Sequence, residues 1–293
     1  MTDHPPPRTI VLIGATSGIG RQAALQLAVR GHRLILVGRD RRRGDSLVAE
    51  IGNDRGRTRS PVFIAGDVST AAGVAEVVAD ITNTTNAVDT LINNAGIMAP
   101  KRQLTSEGIE LNFAVHHLAP YSMAAMLMPQ LARGDGRTVN TNSEGHRAAL
   151  FHSGAIDIDF SDLQSERHYD AFLAYSRTKL ANLLFTYEFH RRFRGFPIVA
   201  VHPGMVRTRL VRSMRNPAFW LLSTATRVLL QSPEQGARPL VQLATCSELA
   251  SGRYYDRFTP AASSPQSMCA DTARKLWEIT EKLRGPFVAM ERT

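Results

Sequence analysis

Short apolar runs alternate with helix-period segments along this chain, and that alternation restricts its fold more than any other feature. Thr9-Ile10-Val11-Leu12-Ile13 reads as a strand ending at Gly14. Helical spacing follows over 19–30, with Gly31 as its stop. Further strands are expected at 33–37, 61–65, 88–92, 137–141, 197–201 and 253–256. Helices are expected at 41–51, from a Ser69 cap to 81, and at 106–131, 170–193, 232–247 and 271–283. Pro120 and Pro129 disturb the 106–131 stretch. Ser232-Pro233-Glu234-Gln235 joins a cap, a proline at the first helical position and a capping glutamine. Strands separated by single helices need right-handed crossovers, which make a parallel sheet. Strands buried on both faces read as unbroken apolar runs, as these do. The fold class is therefore α/β: one doubly wound domain over 1–293 with a mostly parallel sheet of seven strands.

Net charge narrows the partners less than its size suggests. The chain carries +9 at neutral pH, which raises nucleic acid or anionic membrane. Its basic residues are scattered, and only Arg41-Arg42-Arg43 and Arg191-Arg192 are runs of arginine, so a solvated surface is expected and no nucleic acid partner. No apolar run approaches the ~20 residues of a membrane span. Residues 1–8 are polar, proline-rich and expected to be flexible, with no secretion signal and no anchor. Cys246 and Cys269 have no metal-type spacing and suggest no disulfide framework. A cytoplasmic protein without a metal is expected.

Gly14-Ala15-Thr16-Ser17-Gly18-Ile19-Gly20 joins the first strand to the first helix. Glycines allow a tight turn and close approach of backbone to a pyrophosphate. The following helix start offers free N–H groups to an anion. Further on, Tyr175 and Lys179 stand four residues apart in the expected 170–193 helix, so they share a face. A nearby ammonium would lower the phenol's pKa from about 10 and ready it for proton exchange. Lysine is scarce here: Lys101, Lys179, Lys275 and Lys282 are all there are.

The glycine spacing G-x-x-x-G-x-G and these paired residues resemble the short-chain dehydrogenase/reductase family. So does Asn93-Asn94-Ala95-Gly96 after the fourth strand. The resemblance implies a Rossmann fold and a dinucleotide held by Gly14, Thr16, Ser17, Gly18, Ile19, Gly20, Asp67, Val68, Asn94, Ala95 and Gly96. Pro203, Gly204, Val206 and Thr208 would lie beside the nicotinamide, together with Tyr175 and Lys179. Gly38 stands where members using NAD usually carry an acid, and Arg39 follows it. A guanidinium suits a 2′-phosphate, so the expected cofactor is NADP(H), although Asp40 speaks against it and Arg39 could be a plain surface charge.

The same resemblance implies a tetrad of Asn112, Ser143, Tyr175 and Lys179. Tyr175 would donate the proton, Lys179 would hold the ribose and tune the phenol, Ser143 would bind the carbonyl oxygen, and Asn112 would hold a water. Asn142 stands where members often have a second serine, and little effect is expected from that change. The stretch Asp157-Ile158-Asp159-Phe160-Ser161-Asp162-Leu163, then Tyr169, resembles the retinol dehydrogenase and WW-domain-oxidoreductase branch. So do Lys179-Leu180-Ala181-Asn182 and Val201-His202-Pro203-Gly204. Bacterial members of that branch include reductases of polyketide ketones. The expected function is an NADPH-dependent carbonyl reductase or alcohol dehydrogenase acting on a lipophilic ketone or aldehyde. Residues 208–231, greasy and basic, are expected to form a helical substrate lid, and 259–293 a C-terminal extension. Family members often pair through the helices bearing Asn112 and Tyr175, which makes a homodimer one expectation; members with a long Ser–Tyr insert can be monomers. Two other readings share the fold: an extended-type nucleotide-sugar epimerase or dehydratase, and a non-catalytic NADP(H)-sensing protein.

Overall fold

In the computed structural model, residues 6–53, 60–149, 152–207 and 230–287 are described. Their strands are β1 (Thr9–Ile13), β2 (Arg33–Gly38), β3 (Val62–Ala65), β4 (Thr90–Asn93), β5 (Arg137–Thr141), β6 (Ile198–His202), β7 (Arg253–Asp256) and β8 (Thr259–Ala261). They form one sheet in the order β3-β2-β1-β4-β5-β6-β7-β8. All pairings are parallel except β7 with β8. The helices are α1 (Gly18–Val29), α2 (Arg41–Gly52), α3 (Ala71–Thr84), α4 (Leu111–Phe113), α5 (Ala119–Met126), α6 (Met128–Arg133), α7 (Ala171–Arg192), α8 (Pro233–Thr245) and α9 (Ala270–Arg284), with a π-helical turn at Ala114–Leu118.

Successive strand residues feed two cores on opposite faces of the sheet, as a period of two requires. Ile10, Leu12, Leu34 and Leu36 pack with α1, α2 and α8. Val11, Ile13, Ile35 and Val37 pack with α3, α5, Phe185 and Phe189 of α7 and Trp277 of α9. Strand order reverses between β1 and β4, so the loops after these two strands open a crevice at the carboxyl ends of the central strands.

The sequence expectations need correcting in several places. The sheet has eight strands, not seven. β8 is exposed at all three residues and carries no apolar signal; it is held by antiparallel pairing such as Tyr254 opposite Ala261. The α3 cap is Thr70, whose Oγ1 accepts from Gly73 N at 3.0 Å; Ser69 N–H instead donates to the Asp67 carboxylate. The helix expected from 106 begins at Leu111, because Gly108 turns the chain at φ +74° and the Glu110 carboxylate caps the N–H groups of Asn112 and Phe113. Arg8, expected in a flexible tail, is anchored: its N–H donates to His32 Nδ1 and its guanidinium pairs with Asp135. The expected lid lies outside the described residues except at 230 and 231, and Thr208 lies there too. Trp277 of the C-terminal segment belongs to the main core.

Candidate active site

At the β1–α1 turn the site is made of backbone. Gly14 has φ +85°, and a Cβ there would sit 2.7 Å from the Ala95 backbone. At Gly20 a Cβ would come within 2.1 Å of Gly14 O and 2.5 Å of Asn94 Nδ2. Asn94 fastens the turn, donating from Nδ2 to Gly14 O at 3.1 Å, while its Oδ1 accepts from Thr141 Oγ1. Ser17 precedes α1 but makes no side-chain cap, whereas Asp40, Thr70, Asp170 and Ser232 cap α2, α3, α7 and α8. The first-turn N–H groups of α1 are thus left for another acceptor, and this fits a phosphate-bearing dinucleotide. Ile19 packs at the lip, near Gly236 and Val206.

Thr16 stands against Gly38, where any Cβ would meet Thr16 Cγ2 at 2.7 Å. A side chain there would require Thr16 to turn away. Arg39 is exposed and has no partner among the described residues. Asp40 is occupied elsewhere, accepting from Arg43 N and pairing with the Arg43 guanidinium. Asp67 is exposed at the end of β3. Val68 turns its side chain into the core, so only its backbone could meet a nucleotide. Gly96 lies beside His116. On the far side of the crevice, Gly204 has φ +92° against Gln231, and Pro203 is buried.

The chemical half of the site is made of buried side chains. Tyr175 and Lys179 lie on α7, 9% and 5% exposed, with Lys179 Nζ 5.6 Å from the Tyr175 ring centre. Tyr175 and Ser143 face each other across Gly145. Gly145 lets this pair close up, because a Cβ there would lie 3.2 Å from Tyr175 Cε1 and 3.4 Å from Ser143 Oγ. Lys179 donates to Thr141 O at 3.0 Å. Three of the four tetrad residues are therefore brought together.

Asn112 is fully buried with its side chain spoken for. Its Nδ2 donates to Glu110 Oε1 and Tyr169 OH, and its Oδ1 accepts from Ala99 N. Both amide protons of the side chain are used close to the start of the helix, which leaves only spare acceptor capacity on Oδ1 for a water.

Burial dominates the ionisation of the pair. It pushes Tyr175 up to about 12, against the opposite pull of the nearby Ser143 hydroxyl. It also lowers Lys179 to about 7. This reverses the expectation of a phenol made more acidic by its lysine: withdrawing both groups from water costs more than their mutual influence returns. The phenol is held neutral, which suits a proton donor.

Asn142, assigned little weight from sequence, is central. Its Nδ2 donates to Lys179 O and Asn182 Oδ1, and its Oδ1 accepts from Ser143 N at 2.7 Å. Asn182 in turn donates to His116 O. His146 was missed as well: its Nε2 accepts from Ser264 N, so its Nδ1 proton goes to Ser143 O at 2.7 Å. The links to Lys179, Asn182, His116 and Ser264 span tens of residues, and no local spacing signals them.

A family model described as short chain dehydrogenase matches residues 8–218. Retinol dehydrogenase 13 of Homo sapiens is 35% identical, covering 96% of this chain and 85% of its own. A Streptomyces sp. (strain C5) protein that bears the name "Putative daunorubicin C-13 ketoreductase DnrU" is 36% identical, covering 96% of this chain and 93% of its own. The crystal structure of an uncharacterised Mycobacterium paratuberculosis protein superposes with a TM-score of 0.75, at 28% identity and 97% coverage of both chains.

Proposed function

This chain belongs to the short chain dehydrogenase family, in its retinol dehydrogenase branch, and from that premise we propose that it is an NADPH-dependent reductase of lipophilic ketones or aldehydes. The observation that carries the reading is buried Tyr175 facing half-buried Ser143 across Gly145, with Lys179 beside the phenol ring. A bound nicotinamide cofactor supplies the hydride. Tyr175 is the proton donor, kept protonated by burial, and delivers its phenolic proton to the substrate oxygen. Ser143, aimed by Asn142 and His146, donates a hydrogen bond to that oxygen as it gains charge. Lys179 keeps one N–H on Thr141 O and has others free for the ribose hydroxyls. Recovery of its full charge on cofactor binding would lower the phenol's pKa.

The uncapped start of α1 and the glycine turn support dinucleotide binding at Gly14, Thr16, Ser17, Gly18, Ile19, Gly20, Asn94 and Ala95. The guanidinium of Arg39, exposed and without a partner among the described residues, and the close approach of Thr16 to Gly38, where an acid would otherwise stand, support NADPH over NADH. The names of the two relatives, a retinol dehydrogenase and a daunorubicin ketoreductase, support a lipophilic substrate.

The test is a panel of aromatic and long-chain ketones and aldehydes with NADPH, followed by nicotinamide absorbance. Wild type turns over at least one, and Tyr175→Phe loses on the order of 10²–10⁴-fold in kcat with NADPH still bound. Undiminished turnover by Tyr175→Phe would remove the proposed proton donor.

A further inference from the structure

Beside the reacting groups lies a buried histidine to which the mechanism above gives no role. His116 is 1% exposed and sits in the π-helical turn, a rare conformation that often marks a functional site. Ile97 N–H donates to its Nε2 at 3.1 Å, so that nitrogen carries no proton. Its Nδ1 is 2.8 Å from Thr178 Oγ1. The one hydroxyl proton of Thr178 is given to Tyr175 O at 2.8 Å. Thr178 must then accept, and His116 must donate from Nδ1: a neutral imidazole in one tautomer. The ring also stands edge-on to the Tyr175 ring, 5.4 Å between centres at 89°. Ile97 directly follows Asn94-Ala95-Gly96, the loop against the glycine turn.

We propose that His116 is a positioning residue that couples the nucleotide-side loop 94–97 to Tyr175 through two separable hydrogen bonds. The proposal rests on the catalytic reading of Tyr175. The Nε2 arm holds the loop; the Nδ1 arm, through Thr178, holds the α7 backbone at Tyr175. Burial, and then the charge of Lys179, keep the ring neutral, as both arms demand. His117 is the natural control. It is equally buried but turns the other way, to Thr280 of α9 and the Phe113 and Phe185 rings.

The two arms can be cut one at a time. Asparagine places an amide N–H where Nδ1 was but offers nothing at Nε2; glutamine does the reverse. In His116→Asn, kcat stays within about threefold and NADPH binding weakens about tenfold, the scale of one buried hydrogen bond. In His116→Gln, binding stays within about threefold and kcat falls about tenfold. Thr178→Val leaves the imidazole in place and reproduces the glutamine result. His117→Gln lowers Tm and moves neither parameter.

Equal effects of asparagine and glutamine on both parameters overturn the coupling, as does unchanged kcat in Thr178→Val. Should the histidine variants not fold, Thr178→Val decides alone. The binding arm, read by NADPH titration, needs no turnover: unweakened binding in His116→Asn overturns the proposal even if no substrate is found. Retained activity in Tyr175→Phe sinks the catalytic reading instead, so the two failures are distinguishable.

Discussion

At the end of β1 the chain forms its crevice by leaving side chains out; at the start of α7 it does so by burying polar ones. The first region tolerates almost no added atom, since Cβ positions at Gly14, Gly20 and Gly38 are all filled by neighbours. Specificity there is steric, and the binding groups are backbone N–H donors. In the second region Asn142, Asn182, His116, Thr178 and Lys179 are buried and satisfy one another. Each partner there fixes the orientation of the next, and removing one strands the others. A site assembled in these two ways should fail in two ways: by exclusion of ligand on one side, by misalignment on the other.

The largest effect is expected from Gly20→Ala. Its Cβ cannot coexist with Gly14 O at 2.1 Å. Dinucleotide affinity should fall about 100-fold or more as the turn is pushed open. Unaltered affinity in a fluorescence titration would break the steric account. Asn142→Leu comes next and should do the opposite. It removes the partners of Ser143 N, Lys179 O and Asn182, and kcat should drop by roughly 30-fold with NADPH binding near wild type. A fall in binding with kcat intact would erase the distinction between the halves.

Lys179→Met sharpens the burial argument. The lysine titrates at about 7 when folded and near 10.4 unfolded. Between those values the unfolded chain binds the extra proton, so this group makes cofactor-free stability rise with pH across that window. The wild-type Tm minus the variant Tm should therefore increase from pH 7 to pH 9, about two units inside the window. A flat difference would mean the ammonium is better solvated than its surroundings indicate. Arg39→Ala gives the smallest change: the NADPH-over-NADH ratio should fall about tenfold, one charge-assisted contact, with kcat unmoved. A preserved ratio would remove Arg39 from cofactor choice.

Much of this was legible along the chain. Glycine punctuation and apolar runs located β1, α1 and the crevice strands, because such signals are local. The Tyr175–Lys179 face followed from helical spacing alone. β8 was not legible, since Thr259-Pro260-Ala261 is wholly exposed and owes its existence to the edge of β7. Nor was the early break before α4, where one glycine and a carboxylate cap override a helical pattern.

The linear order of residues determined the strand–helix alternation, the steric emptiness of the glycine turn and the residue types available for proton transfer, because each depends on neighbours within a turn or a strand. Tertiary structure alone decided which way those groups ionise and what holds them. Desolvation by distant segments raises the phenol and lowers the ammonium. Partners such as His116 and Asn142 reach the site only when α7, the π-helical turn and the end of β5 are packed together. A hydrogen bond across 37 or 62 residues leaves no periodicity to read.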